Sequence, residues 1–171
     1  MKLTHFLIPF FLAGCSPELS SQNPVYKAIP YIGKTETQHR QFLKEYTGVD
    51  PVRTEWCAAF VNAVLNESGI PGSESVSDVP LMARSFLQWG DEISKEEIQA
   101  GDIVVLPRGD VGWQGHVGFY IKTNVINGRI YYAILGGNQS NKVSIENYAE
   151  SRVLGIRRIK QNKYIEEQNY D

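Results

Sequence analysis

The chain has 171 residues, with 17 Lys and Arg against 19 Asp and Glu, a formal charge of −2. That balance lacks the basic excess of a nucleic-acid surface, so no nucleic-acid partner is expected. The length suits one domain with one sizeable core.

Met1 and Lys2 supply a minimal basic start, and Phe6 to Leu12 is an apolar run without charge. At about ten residues the run falls short of the ~20 needed for a spanning helix. It ends in Leu12-Ala13-Gly14-Cys15, which resembles the lipobox of bacterial lipoproteins. The resemblance implies a signal peptide over 1–14, lipid on Cys15 as the membrane anchor, and a polar tether over 15–34. Ser16, in place of Asp, implies the periplasmic face of the outer membrane. An ordinary signal peptide that happens to carry a cysteine is the alternative. Cleavage removes one Lys and no acid, leaving 16 basic and 19 acidic side chains, a charge of −3.

The domain is expected over 35–160, followed by a polar tail over 161–171. Phe42, Leu43 and Tyr46 share one helical face between Thr35 and Tyr46, with Gly48 and Pro51 beyond. In the next helix Trp56, Ala59, Phe60, Ala63 and Val64 recur at helical spacing after a candidate Thr54 cap. Gly69 and Pro71 close that helix. Residues 72–80 read as a loop and Leu81 to Trp89 as a short helix. Ser94 to Glu97 has the form of a capping box. Strands are expected over 102–106, 116–121 and 130–135, the last two flanking the hairpin signal Asn127-Gly128. Further strands are expected over 143–145 and 153–159. Helices first and antiparallel strands second make an α+β domain.

With Cys15 consumed by lipid, Cys57 is the remaining thiol. An unpaired cysteine in an oxidising compartment calls for an explanation. A small buried hydrophobe is the inert one. The reactive one needs a thiolate, which a helix N-terminus and a nearby imidazole both favour. Cys57 stands in the opening turn of a well-marked helix, at the third helical position if Thr54 is the cap.

The remaining chain offers two histidines. His39 lies among Gln38, Arg40 and Gln41 and reads as a solvated surface residue. His116 starts a strand between Gly115 and Gly118, which leave room for close approach. Such a base needs a third group to fix its tautomer. A two-residue turn at Asn127-Gly128, counted back along both strands, sets Gln139 opposite His116 with Asn138 beside it. Either amide oxygen suits the imidazole N–H, and a bulge after Gly136-Gly137 would shift the register by one. An Asx turn leaving the strand explains the same residues without chemistry.

These residues resemble the NlpC/P60 and CHAP superfamily of papain-like cell-wall hydrolases. The likeness rests on strings that occur in the family's order: Trp56 to Asn62, Ala83 to Gly90, Gly101 to Val105, Gly115 to Tyr120 and Gly136 to Ser140. It covers roughly residues 36–158. It implies a papain-like fold, N-terminal helices on an antiparallel sheet of about five strands. It also implies Cys57 as nucleophile and His116 as base, and selects Asn138 over Gln139 as the residue orienting His116. Glu55 departs from the pattern, which often has proline there, and its carboxylate would oppose thiolate formation if it came near the sulfur.

The function expected is hydrolysis of an amide in the peptidoglycan stem peptide through a thioester, by a monomer without cofactor. Acyl transfer by the same Cys-His pair, as in transglutaminases, is one alternative, and a non-catalytic wall-binding lipoprotein is another. The Cys57 backbone N–H is an obvious oxyanion donor, with no second donor assignable. Trp56, Trp89 and Trp113 are expected in the core and Asp102 in a structural turn. No cluster has metal-ligand spacing, and Gly136-Gly137 lacks the Lys and helix of a phosphate loop.

Overall fold

The computed structural model describes residues 23–160. The signal segment, Cys15 and the polar tail lie outside the described residues. Three α-helices, α1 (Pro24–Ala28), α2 (Arg40–Thr47) and α3 (Cys57–Glu67), precede a six-stranded antiparallel sheet. Its strands are β1 (Asp91–Glu92), β2 (Ile103–Pro107), β3 (Gly115–Ile126), β4 (Arg129–Gln139), β5 (Lys142–Ala149) and β6 (Gly155–Arg158), in the spatial order β1-β6-β2-β3-β4-β5. The strand beyond the expected five is the two-residue β1, which pairs with β6. The fold is α+β.

The expected tether ends earlier than residue 34. Asn23 caps α1 by accepting the Val25 N–H, and Pro24 opens the helix where its missing donor costs nothing. The Asn23 amide also donates to the Ala100 carbonyl at 2.7 Å. Gly33 and Lys34 exchange backbone hydrogen bonds with Val143, so residues 23–34 are folded onto the domain.

α2 starts later than the sequence suggests, at Arg40. Thr35 forms a β-bridge with Lys142, and its N–H donates to His39 Nδ1 at 3.1 Å. His39 is therefore a half-buried turn residue, not a solvated one. Gly48, at φ 74°, ends the helix in the left-handed conformation that glycine adopts without strain.

The long central helix α3 is buried almost all round, with Ala58, Phe60, Val61 and Val64 inaccessible to solvent. Such a helix belongs to the core, not to the surface. It packs on the sheet face that carries Ile103, Val105, Val117, Phe119 and Leu135. A second cluster, Val104, Leu106, Tyr120, Tyr132, Ile134 and Ile156, covers the opposite face, as the period of two requires. Within α3, Asn62 accepts the Ser73 N–H at 2.8 Å and donates to the Pro80 carbonyl at 3.0 Å, tying down the 72–80 loop. The helix expected over 81–89 is a 3-10 segment, Ala83–Gln88.

Asn127 and Gly128 turn the β3–β4 hairpin at φ 51° and 73°, the mirror-image turn that suits strand twist. Ile126 pairs with Arg129, as the two-residue turn requires, but a bulge between Tyr120 and Lys122 shifts everything beyond it. Phe119 then faces Leu135. A second irregularity follows Gly136 in β4, where Asn138 adopts φ 57°.

Candidate active site

Three pieces of backbone bring the site together. α3 begins at Cys57, with Trp56 as its cap in place of Thr54, so the thiol sits at the first helical position. The Trp56 side chain makes no capping hydrogen bond, so it leaves the opening N–H groups and the positive helix end at the sulfur. β4 can pass close beneath this turn because of Gly137. A Cβ there would come within 2.5 Å of the Trp56 ring and 2.7 Å of Phe60 Cβ.

β3 supplies His116, buried to 4% exposure. The backbone N–H groups of the next residue, Val117, and of Ala58 favour the charged form of the Cys57 thiol. The Tyr148 ring lies on the imidazole at 5.4 Å between centroids. The Arg108 charge acts on Cys57, His116 and Tyr148 alike. These four residues therefore form one neighbourhood.

The third group is Gln139. Its Oε1 lies 3.0 Å from His116 Nε2. Its own amide nitrogen donates to the Ser144 carbonyl at 2.6 Å, with longer contacts to Ser144 Oγ and the Ile134 carbonyl. Because those partners are acceptors, the amide is held with its oxygen toward the ring. His116 Nε2 must then carry the proton, which leaves Nδ1 as the basic lone pair.

Asn138, which the family resemblance places in this role, points elsewhere. Its Nδ2 donates to Glu55 Oε2 at 2.6 Å. The reason is the left-handed backbone at Asn138, which breaks the alternation of β4 and turns Gln139 to the histidine. Both amides are buried.

Burial dominates the electrostatics. Cys57 is 3% exposed, and its desolvation pushes the thiol above its ordinary value, against the pull of Arg108 and of the Val117 and Ala58 N–H groups. Glu55 adds a small push in the same direction as burial. Burial also lowers the His116 imidazole to about 4, opposed by its hydrogen bond to Gln139 and assisted by Arg108. At neutral pH the resting pair is a thiol and a neutral imidazole, not a thiolate and imidazolium.

A cleft of about 170 Å³ opens beside the histidine, walled by Arg108, His116, Asn138, Gln139, Tyr148 and Arg152 among others. Of the three tryptophans, Trp56 and Trp89 are core residues. Trp89 donates to the Pro71 carbonyl at 2.9 Å, whereas Trp113 stands 63% exposed on the 107–115 loop. Asp102 accepts two hydrogen bonds from Arg158 and the Gln99 N–H, each at 2.7–2.8 Å, which fixes β2 to β6. Among the described residues no group of three His, Cys, Asp or Glu is placed to hold a metal ion.

The fold thus leads helices into an antiparallel sheet, with a cysteine at a helix start and a histidine on a strand of that sheet. No family model matches the chain, and no curated protein matches it. Among solved structures the chain is similar to a lipoprotein-like protein of the NLP/P60 family from Staphylococcus aureus, with a TM-score of 0.55 and 20% identity. The match covers 86% of this chain and 43% of that one, so the chain spans less than half of the neighbour's length. This likeness establishes an NLP/P60-like fold.

Proposed function

We propose that the chain is a cysteine-dependent hydrolase of peptidoglycan, cleaving an amide bond in the stem peptide. The observation that carries this reading is the fixed Gln139 amide, which leaves His116 Nδ1 unprotonated in the neighbourhood of the Cys57 thiol. A buried histidine needs only some hydrogen-bond partner, but one held in this tautomer, with Tyr148 and Arg108 acting on both it and the free thiol, is arranged as a base.

In the proposed cycle His116 Nδ1 takes the thiol proton as sulfur attacks the amide carbonyl. The oxyanion that forms lies at the α3 start, where the Cys57 N–H donates to it. Collapse breaks the C–N bond, and the imidazolium returns its proton to the departing amine. Water then attacks the thioester, losing a proton to His116. The sulfur leaves as thiolate, the carboxylic acid departs, and the imidazolium reprotonates the sulfur. Gln139 keeps its bond to Nε2–H throughout and positions the ring. Asn138 has no part in that positioning.

The neighbour's lipoprotein character and the lipobox at Cys15 together support a place in the cell envelope. The proposed location is the outer membrane, facing the periplasm, with the wall in reach.

One observation favours a second reading. Cys57 is 3% exposed, as an inert packing residue would be, and a wall-binding domain with a silent thiol has the same fold. Incubation with purified sacculi separates the two. Hydrolysis releases amino groups without cross-linked products and is lost in Cys57→Ser; the binding domain releases none.

A further inference from the structure

Glu55 is the residue that departs from the family's sequence pattern, and the fold sets it against two residues of the cleft wall, Arg108 and Asn138. One carboxylate oxygen, Oε2, lies 3.0 Å from Arg108 Nη1 and accepts from Asn138 at 2.6 Å. The contact with Arg108 is poorly aligned: Nη1 is buried and makes no hydrogen bond. Most of the Glu55 side chain, 75%, remains in solvent. The Glu55 carboxylate is mostly in solvent and the Arg108 side chain is itself 39% exposed, with one buried nitrogen lacking a well-aligned acceptor, so the pair is weak. An incoming carboxylate can take the Asn138 N–H as well as the guanidinium. Arg152 brings a second guanidinium to the same wall, and one of its nitrogens donates to the Pro107 carbonyl at 3.3 Å.

We infer that this cleft is a subsite for a substrate carboxylate, with Arg108 as its anchor, and that Glu55 occupies the anchor until substrate displaces it. The inference deepens the proposed function by naming what the site recognises. The cleft is walled by His116 and not by Cys57. Since His116 delivers the proton to the departing amine, the carboxylate belongs to the amino acid on the leaving side of the scissile bond. Arginine suits this task because its planar fork meets both carboxylate oxygens.

The test is an NMR titration of the full chain with N-acetylglycine and with its neutral amide, N-acetylglycinamide. The acid is expected to shift the His116 ring and the Arg108 Nε–H signals saturably, and to bind about tenfold more tightly than the amide, the worth of one charged hydrogen-bonded contact. Glu55→Gln is expected to tighten the acid several-fold and leave the amide alone, and Arg108→Gln to abolish the preference. Equal shifts by acid and amide overturn the subsite. Unchanged acid affinity in Glu55→Gln overturns the placeholder. Should Arg108→Gln fail to fold, the acid–amide comparison on the parent protein and Glu55→Gln still decide. Neither ligand is cleaved, so acid preference without wall cleavage removes hydrolysis alone, and cleavage without acid preference removes the subsite alone.

Discussion

Gln139 holds His116 in one tautomer: its oxygen takes the Nε2–H at 3.0 Å, while its nitrogen is committed to the Ser144 carbonyl at 2.6 Å. The two ends of the amide cannot exchange places without setting its oxygen against the Ser144 carbonyl, acceptor against acceptor. The proposed base is thereby fixed by Gln139.

Gln139→Leu removes the acceptor and leaves a buried N–H unpaired. Activity is expected to fall about 10- to 100-fold, judged by the effect of losing comparable orienting groups, with a stability loss of about 1–3 kcal/mol. Asn138→Gly preserves the left-handed backbone and removes only the contact to Glu55. It is expected to keep activity within a few-fold. Nitrogen-15 shifts of the imidazole check the mechanism: Nε2 protonation persists in Asn138→Gly and becomes mixed in Gln139→Leu.

Much of this site was legible in sequence, and its missing piece was not. Cys57 could be read because helix punctuation around Gly69 and Pro71 is strong, and His116 because the other histidine of the domain lies in a polar stretch. The count back from the Asn127-Gly128 turn met Gln139, but only because two irregularities offset each other. The bulge after Tyr120 continues the register from Phe119 and Leu135 so as to set residue 138 opposite His116. The left-handed Asn138 then returns residue 139 to the ring. Bulges of this kind leave no periodic trace, so sequence could not separate the two amides. By contrast α1 did carry a signal, Asn23 before Pro24, which the polar composition of the segment masked.

His116 is lowered in the folded chain to about 4, against about 6.5 unfolded. Above pH 6.5 both states hold it neutral. As pH falls from 6.5 toward 4 the unfolded chain takes up a proton that the folded chain refuses, so stability drops through that window. The full effect of this one group is about 3 kcal/mol. His116→Gln is expected to flatten the loss when denaturant midpoints are measured from pH 7 to pH 4.

The thiol moves the other way, since burial raises Cys57 above its ordinary value. Alkylation by iodoacetamide is therefore expected to accelerate only above about pH 8.5, the unperturbed value. Arg108→Gln removes a charge that favours the thiolate and moves the rise further upward. A rate already flat at pH 6 would reveal a resting ion pair and contradict the neutral one.

Gly137 is expected to tolerate no side chain. A Cβ would sit 2.5 Å from the Trp56 ring, so the α3 start must move away from β4. Gly137→Ala should cost about 1–3 kcal/mol through overpacking and impair catalysis beyond that, because the displaced turn carries Cys57. Thermal unfolding and turnover measured on the same sample separate the two effects.

Asp102 and Arg158 form the buried end of a structural clamp, with the carboxylate 3% exposed. Asp102→Asn leaves the guanidinium without its charge partner. A loss of about 3 kcal/mol is expected, as for one-sided removal from a buried pair, with the kinetics of the folded fraction unchanged.

The central claim is a covalent bond between Cys57 and the acyl half of a stem peptide. Acid quenching during turnover of a soluble muropeptide, followed by peptide mapping, reads that bond directly. An acyl adduct is expected on the peptide carrying Cys57, removable by hydroxylamine, with neither adduct nor turnover in Cys57→Ser. Turnover that persists in Cys57→Ser would contradict it.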